Sequence, residues 1–404
     1  MRPPDKIDRE KHPLNTRSLF EVLGASAKLG LTSFGGPIAH IGYFHEEYVN
    51  KRKWLDEHSF ADLVALCQFL PGPASSQLGM SIGVIRIGLA GAVVAWLGFT
   101  LPSAIALVVF AFLLQGFDVG SAGWIHGLKI VAVAVVAQAI FTMGQKLTPD
   151  RNRATIAIVS LAVVLLWKTA VSQIVVIIAA GLTGFVLYRK IALDKIRELR
   201  LPISRKAGVV CLALFFALLF LLPLARQLTS NHWVEVADSF YRAGSLVFGG
   251  GHVVLPLLQK EVVPNGWISQ DNFLAGYAAA QAVPGPLFTF AAYLGAMMNG
   301  LSGAALALLS IFLPAFLLIV GTLPFWNLLR QSIAIRGALM GINAAVVGIL
   351  LAALYDPIWL AAILAPADLV LAAILLGMLV FWKLPPWIVV IAGALGGLLL
   401  KAAA

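Results

Sequence analysis

Charged residues are scarce in this sequence, and hydrophobic residues are abundant. Only 12% of the 404 residues are charged whereas 60% are hydrophobic, and the mean hydropathy is +0.90. A soluble domain has about a quarter charged and about half apolar residues. Apolar runs of spanning length recur from end to end of the chain, and such runs predict transmembrane helices. We therefore predict an all-α polytopic membrane protein.

The motifs of ATP-driven pumps and metalloenzymes are absent from the sequence. No glycine-rich loop ends in Lys-Ser or Lys-Thr, which argues against a self-powered ATPase. No His-Glu-x-x-His or Asp-rich metal motif is present, so we expect no metal, no cofactor and no enzymatic activity. The two cysteines, Cys67 and Cys211, lie in apolar stretches without metal-ligand spacing and are interpreted as packing residues.

Basic residues in excess give the chain a net charge of +10, most of it in connecting segments. In so apolar a chain we interpret this excess as a topology signal rather than as a nucleic-acid-binding surface. The polar segment 1–18 is basic and precedes no cleavable apolar core, so we expect no cleaved signal peptide. The densest basic stretch is 189–206. Both segments are predicted to be cytoplasmic.

An internal repeat is marked by two glycine-rich motifs. Phe34-Gly35-Gly36-Pro37 in the first half aligns with Phe248-Gly249-Gly250-Gly251 in the second. Pro71-Gly72-Pro73 follows the first motif, and Pro284-Gly285-Pro286 follows the second. Rare residues shared in the same order indicate a duplication. Further aligned pairs are Lys28 with Arg242, Glu47 with Glu261, Trp54 with Trp267, Gln68 with Gln281 and Gly88 with Gly300.

The repeat and the charge pattern predict the domain organisation. We assign 19–188 to a first membrane repeat, 189–206 to a cytoplasmic linker, 207–226 to a connecting helix and 236–401 to a second repeat. An even number of crossings followed by one connecting helix makes the second repeat inverted, as in many secondary transporters. Whether the segments at the glycine-proline motifs cross fully or are re-entrant stays open, because full crossings would put Lys51-Arg52-Lys53 outside.

Breaks in a membrane helix expose backbone amides that need a partner. A helix that restarts after a break has free backbone N–H groups at its first turn. These groups, with about half a positive charge, point into the space beside the break. Such ends bind anions, although glycine and proline also serve close packing and kinks. We predict an anion site near the midplane. Its residues are Gly35, Gly36, Pro37, Gly72, Ser75, Ser76, Gln77, Gly249, Gly250, Gly251, Gln281, Gly285, Thr289 and Asn343.

Two cations stand six residues before the Phe-Gly-Gly motifs, Lys28 and Arg242. A charge at membrane depth is a functional hypothesis, so we expect both to offset the charge of a bound anion; the alternative is that they snorkel to an interface. Glu47 and Glu261 are interpreted either as proton carriers or gate residues, or as interfacial acids paired with Lys51 or Lys260. His40 and His252 are assigned either to proton coupling or to packing.

The chain resembles the chromate ion transporter family. The residues that carry the resemblance are Phe34 to Pro37 with His40-Ile41, Leu70 to Pro73 with Ser76-Gln77, Phe248 to His252 with Leu255-Pro256, and Ala280 to Pro286. The resemblance implies a multi-pass protein of the bacterial inner membrane, and the basic segment 1–18 predicts that its N-terminus is cytoplasmic. The resemblance also implies two homologous domains of opposed orientation, chromate export, and chromate resistance.

Only the resemblance favours chromate over sulfate, a dianion of similar shape. Export of a dianion is favoured by the membrane potential by about 2.3 kcal/mol per charge per 100 mV, so proton coupling is allowed but not required. A sulfate or oxyanion uptake transporter and a passive anion channel remain as alternatives. Small-residue faces such as Gly393 and Gly397 permit a homodimer.

Overall fold

Helices form all the regular structure in the part of the chain that is described. The computed structural model describes residues 16–34, 36–115, 123–167, 170–188, 204–229, 231–248, 251–329 and 333–403. It confirms the all-α prediction. The helices are α1 (Thr16–Thr32), α2 (Gly36–Phe44, extended by a π-helical segment His45–Lys51), α3 (Glu57–Phe69), α4 (Ala74–Ile87), α5 (Leu89–Leu114), α6 (Gly123–Leu147), α7 (Arg151–Leu166), α8 (Ala170–Leu187), α9 (Arg205–Leu228), α10 (His232–Leu246), α11 (Val254–Val262, preceded by a 3₁₀ turn Gly251–Val253), α12 (Gln270–Ala282), α13 (Phe290–Thr322, preceded by a 3₁₀ turn Leu287–Thr289), α14 (Trp326–Leu329), α15 (Ile333–Ala353, extended by a π-helical segment Leu354–Trp359), α16 (Leu360–Ala362), α17 (Pro366–Val380) and α18 (Pro386–Ala403).

Side chains cap several helices, but none caps α4. Asp56 accepts a hydrogen bond from the backbone N–H of Ser59 (2.8 Å) at the start of α3. Ser269 accepts one from the N–H of Asn272 (3.2 Å) at the start of α12. Helix α4 instead follows Pro73, which offers no capping group. Its first-turn amides therefore carry the unsatisfied donors and partial positive charge of a helix N-terminus.

Helices α1 and α2 form a re-entrant hairpin about residues 33–36, which we call the first break. The Ser26 hydroxyl on α1 lies 3.2 Å from the Tyr48 hydroxyl on the π-helical extension of α2. Residues that precede the first break therefore contact residues that follow it, so the chain turns back there. Helix α2 covers nine residues and its π-helical extension seven, together fewer than the roughly 20 that cross a bilayer.

The charged connection after α2 returns to the face of the protein at which α1 begins. Arg86 lies 3.7 Å from Glu21, near the start of α1, and 5.1 Å from the centre of the Trp54 ring. Lys51-Arg52-Lys53 immediately precedes Trp54. These contacts favour a re-entrant hairpin over a full crossing, and they put this basic segment at the same face of the protein as the start of α1.

A sharp glycine turn joins α4 to α5, and it recurs in the second half. Gly88 has φ +76°, and its repeat partner Gly300 has φ +63° inside α13. Positive φ is strained for residues other than glycine. A Cβ at Gly83 would overlap the carbonyl of Gly91, so α4 folds back closely on α5. Residues 301–322 of α13 are accordingly a separate helix equivalent to α5.

Contacts between the equivalent helices show that the two repeats are inverted. Trp96 near the start of α5 packs 5.7 Å from Phe312, near the end of α13, measured between ring centroids. Gln115 after the end of α5 donates to the carbonyl of Ala296 (3.4 Å), just ahead of the turn in α13. Helix α5 and the later part of α13 therefore run antiparallel. Because they are repeat partners, the halves have opposite orientations in the membrane, as predicted.

Each repeat packs its long central helix against the last helices of the other repeat. A Cβ at Gly127 on α6 would overlap the carbonyl of Gly393 on α18, and one at Gly341 on α15 would overlap the carbonyl of Ala180 on α8. Close backbone approach of this kind drives helix association where no water is expelled. Gly393 and Gly397, which the sequence offered for self-association, therefore pack against α6 within the same chain.

Among the residues that the structure describes, five stretches are long and apolar enough to cross a membrane. One of them, the helix α9, contains the predicted connecting helix 207–226. Only 11% of its most apolar 18-residue segment is buried inside the protein. It therefore lies at the periphery with most of its side chains available to lipid. The five stretches are Leu89–Gln115, Gly123–Leu147, Arg205–Leu228, Leu287–Phe325 and Ile335–Ala362.

Single-cysteine labelling tests the re-entrant and inverted topology. In a variant without Cys67 and Cys211, we expect membrane-impermeant thiol reagents to label Arg17→Cys and Lys51→Cys from the same face of the membrane. Asn265→Cys, on the connection of the inverted repeat, should be labelled from the opposite face. Labelling of Arg17→Cys and Lys51→Cys from opposite faces would contradict the hairpin.

Candidate functional site

The four glycine-proline motifs meet in two pairs, each formed between the repeats. The backbone N–H of Gly72 donates to the carbonyl of Val247 (2.7 Å), and that of Gly285 donates to the carbonyl of Ser33 (2.9 Å). Ser33 and Val247 are repeat partners, as are Gly72 and Gly285. The Pro-Gly-Pro of each half thus contacts the break of the other half. We call residues 247–251 the second break.

Glycine is needed at the two Pro-Gly-Pro turns for conformation as well as for space. Gly72 has φ +114° and Gly285 has φ +101°. A Cβ at Gly72 would lie 3.3 Å from the Cβ of Ala315, and one at Gly285 would lie 2.9 Å from the Ser103 hydroxyl. The two turns therefore pack closely against α13 and α5, and a larger residue at either glycine would press on these helices.

Helix α4 brings a polar first turn to the first break. The Ser75 hydroxyl lies 2.9 Å from Nδ1 of His40 on α2, and both residues are buried. Nε2 of His40 and the Ser76 hydroxyl are buried without a hydrogen-bond partner among the residues that are described. When Nδ1 accepts the Ser75 proton, Nε2 carries the ring proton and can donate to an anion. The arrangement is therefore rich in donors.

The Gln77 side chain holds the turn that precedes α4. Its Nε2 donates to the carbonyl of Pro71 (2.8 Å), and the residue is fully buried. One of its two N–H groups is thus used, and Oε1 has no partner in the described part of the chain. Gln77 supports the Pro-Gly-Pro conformation, and its assignment to the anion site stays a prediction.

Three further polar residues around the first break escaped the sequence analysis. Ser33 and Thr100 are fully buried, and their hydroxyls have no partner among the described residues. Ser103 donates to the carbonyl of Thr100 (3.1 Å) and faces Gly285. Their signal was present in the repeat alignment, because the second half has apolar residues at all three positions, namely Val247, Phe312 and Ala315.

The second break is apolar where the first is polar. Val254 stands at the position of His40, and both are buried. Phe288 in the turn after Pro286 packs against Phe312, with ring centroids 5.9 Å apart. The Thr289 hydroxyl donates to the carbonyl of Pro286 (2.8 Å), so it caps its own turn. Gly251 already stands in place of Pro37 in the sequence, and the structure shows that the side chains at these positions of the two breaks also differ in polarity.

Lys28 is paired with Glu47. Its Nζ lies 2.7 Å from Oε2 of Glu47, and Nε of Arg52 lies 2.8 Å from Oε1 of the same carboxylate. The Glu47 side chain is only 6% exposed, whereas that of Lys28 is 54% exposed. A buried carboxylate needs such partners. This arrangement differs from the expected free counter-charge at Lys28 and from the expected Glu47–Lys51 pair, because Lys51 pairs with Glu46 (3.3 Å).

Arg242 is held in a larger ionic cluster in the second repeat. Arg242 contacts Glu261 (3.0 Å) and Asp238 (2.8 Å), and Arg226 contacts the same two carboxylates at 3.1 and 3.3 Å. Two cations thus face two anions. Because Lys28 aligns with Arg242 and Glu47 with Glu261, equivalent ion pairs link the two arms of the first hairpin in both repeats.

The remaining predicted site residues are spread around this centre. His252 bonds to the Tyr277 hydroxyl through Nδ1 (2.7 Å), and Gly251 lies in a 3₁₀ turn beside Leu287. Gln281 lies in the last turn of α12, and Asn343 is half-buried on α15. Gly36 has φ +76°, and Pro37 occupies the first turn of α2. Gly35, Gly249 and Gly250 lie outside the described residues.

Comparison with known proteins relates both halves of the chain to one family. The family model described as "Chromate transporter" matches residues 20–185 and 234–398. A probable chromate transport protein of Synechococcus elongatus is 29% identical over 82% of this chain and 82% of its own length. A chromate transport protein of Pseudomonas aeruginosa is 28% identical over 81% and 78%, and an uncharacterized transporter of Methanocaldococcus jannaschii is 26% identical over 86% and 85%. No solved structure matches.

Gly285→Ala tests the fit of the Pro-Gly-Pro turns. Alanine at φ +101° is strained by about 1–2 kcal/mol, and its Cβ would press on Ser103. We expect a fall in thermal stability in detergent by several degrees. Gly24→Ala is the control, because no atom lies within 4 Å of a Cβ there. Equal melting temperatures for the two variants would contradict the tight contact.

Proposed function

Because the chain belongs to the chromate transporter family, we propose that this multi-pass membrane protein exports chromate from the cytoplasm by alternating access. The observation that carries the proposal is the polar first turn of α4, where buried hydroxyl and imidazole groups without a described partner surround a helix N-terminus. Such an end attracts anions through its free amides and its partial positive charge.

In this proposal the oxyanion binds at the first break. The free amides of α4 and the Ser76 hydroxyl donate to it. Nε2 of His40 adds a further donor, because Nδ1 of the same ring accepts the Ser75 proton. The second break, lined by Val254, Phe288 and Phe312, supplies the apolar wall that limits access to water. A tetrahedral dianion accepts several hydrogen bonds, and bonds to a charged group contribute about 1.5–3 kcal/mol each.

The paired cations have a different role in the proposed mechanism. Lys28–Glu47 and Arg242–Glu261 are equivalent pairs in halves of opposite orientation, so they lie toward opposite faces of the protein. We assign them as gates that separate alternately when one repeat moves against the other. The structure favours this role over direct anion binding, because each cation already contacts a carboxylate within 3.0 Å.

Export of a dianion needs no other energy source than a membrane potential that is negative inside. The potential favours it by about 2.3 kcal/mol per charge per 100 mV. The proposal includes a cytoplasmic N-terminus, an inner-membrane location and a contribution to chromate resistance. Three further hypotheses accompany this proposal. They are proton coupling through Glu47 or Glu261, assembly as a homodimer, and transport of sulfate as a second substrate.

Radiolabelled chromate flux in everted vesicles separates the proposal from its rivals. We expect chromate uptake into everted vesicles, stimulated by chromate on the opposite side of the membrane. Uptake without such stimulation would indicate a passive channel, and preference for sulfate in right-side-out vesicles would indicate an uptake transporter. Indifference to chromate in both orientations would overturn the proposal.

Ser76→Ala tests the anion site in the first break. Loss of a hydrogen bond to a charged group costs about 1.5–3 kcal/mol, so we expect the chromate concentration for half-maximal flux to rise about ten-fold or more. Thr289→Val is the matched control, because that hydroxyl already donates to Pro286. An unchanged half-maximal concentration in Ser76→Ala would remove Ser76 from the site.

Lys28→Gln distinguishes a gate from a binding residue. Glu47 retains Arg52 in this variant, so no buried carboxylate is left unpaired. A gate predicts slower chromate counterflow with a half-maximal concentration changed by less than about twofold, and Glu47→Gln should behave alike. Lys206→Gln, on an exposed residue at the start of α9, serves as the control. A rise of about ten-fold in the half-maximal concentration would instead make Lys28 an anion ligand.

A further inference from the structure

A crevice distinct from the first break leads from one face of the protein toward the second break. Its wide part has a volume of about 190 Å³ and lies between α7, α8, α11 and α15. Its polar lining includes Gln173, Lys260 and Asp356. A second cavity of about 20 Å³, which we call the narrow part, shares Gln173 and Lys260 with the wide part and is also lined by Arg242 and Glu261.

The inner end of this crevice adjoins the contact between the repeats. Leu246 lines the narrow part, and the next residue, Val247, accepts the hydrogen bond from the N–H of Gly72. Gly72 belongs to the turn from which α4 starts. The narrow part therefore adjoins the turn that leads into the proposed anion site.

Hydrogen-bond donors line the path. Nζ of the half-buried Lys260 lies 3.3 Å from the Ser172 hydroxyl. Gln173 is 2% exposed, and its Nε2 has no hydrogen-bond partner among the described residues. An ammonium and an amide N–H both suit an oxyanion. Asp356 on the opposite wall balances the charge of Lys260.

The dimensions of the crevice agree with a gated route. A cavity needs about 10–15 Å³ to hold one water molecule. The wide part therefore has room for a four-oxygen anion together with water, whereas the narrow part has room for about one water. An oxyanion can reach Lys260 in this conformation, but it can pass Arg242 and Glu261 only after that pair separates.

We propose that this crevice is the route of the transported oxyanion between one face of the membrane and the second break, with Lys260 as the residue that recruits it. The inference rests on the proposed transport function. The route belongs to one side only, because the repeat partner of Lys260 is the exposed acid Glu46. The hydrogen bond that the Lys260 ammonium offers to an oxyanion is charge-assisted, and its loss lowers the affinity about ten-fold or more.

Sided flux measurements on Lys260→Gln test this route. We expect the half-maximal chromate concentration to rise about ten-fold when chromate is supplied at the face of the crevice, and to change little when it is supplied at the other face. Lys260→Arg should retain the wild-type value. If wild-type protein does not transport chromate at all, the proposed function fails. If wild type transports and Lys260→Gln is unchanged from both faces, only the route is overturned.

Thiol protection gives a second test that needs no flux. Val263 lines the wide part of the crevice, whereas Asn265 is exposed two residues beyond it. In a variant without Cys67 and Cys211, we expect chromate to slow the modification of Val263→Cys by an anionic thiol reagent but not that of Asn265→Cys. A further Lys260→Glu substitution should slow the anionic reagent and not a cationic one. Modification of Val263→Cys that neither chromate nor Lys260→Glu affects would overturn the route.

Discussion

Two reciprocal backbone hydrogen bonds hold the centre of this protein together. The N–H groups of Gly72 and Gly285 donate to the carbonyls of Val247 and Ser33. In a medium without water, such groups must find partners inside the protein. Each repeat exposes a donor at its Pro-Gly-Pro and an acceptor at its break, and neither is matched within its own half. The two inverted halves therefore complete each other, and the unwound backbone becomes tolerable at membrane depth.

This symmetric frame carries an asymmetric set of side chains. The frame is duplicated down to the positive φ of Gly72, Gly285, Gly88 and Gly300. The polar residues Ser33, His40 and Ser75 around the first break have the apolar partners Val247, Val254 and Phe288 around the second. Backbone geometry must be preserved in both halves because each supports the other, whereas a single anion needs donors on only one side of the centre. We infer that duplication supplied the scaffold and divergence supplied the site.

Much of the fold was accessible from the sequence, because its signals are local. Apolar length predicts membrane helices, and glycine and proline predict where they break, since both act through their own backbone. The alignment of Phe34-Gly35-Gly36 with Phe248-Gly249-Gly250 predicts the duplication, and parity predicts the inversion. The donors at Ser75 and Ser76 follow from the Pro-Gly-Pro before them. The family also follows from these motifs. These features depend on residues close together in the chain.

Tertiary structure alone decided which of these groups meet. The sequence predicts free cations at Lys28 and Arg242. The hairpins bring Glu47 and Glu261 within 3.0 Å of them, and a carboxylate at that distance neutralises the positive charge. The choice between full crossing and re-entrant hairpin also depended on contacts across each break. No local sequence pattern predicts that each Pro-Gly-Pro pairs with the opposite half. The pairing is formed by backbone N–H and C=O groups, which every residue type other than proline carries, so the side chains do not reveal it.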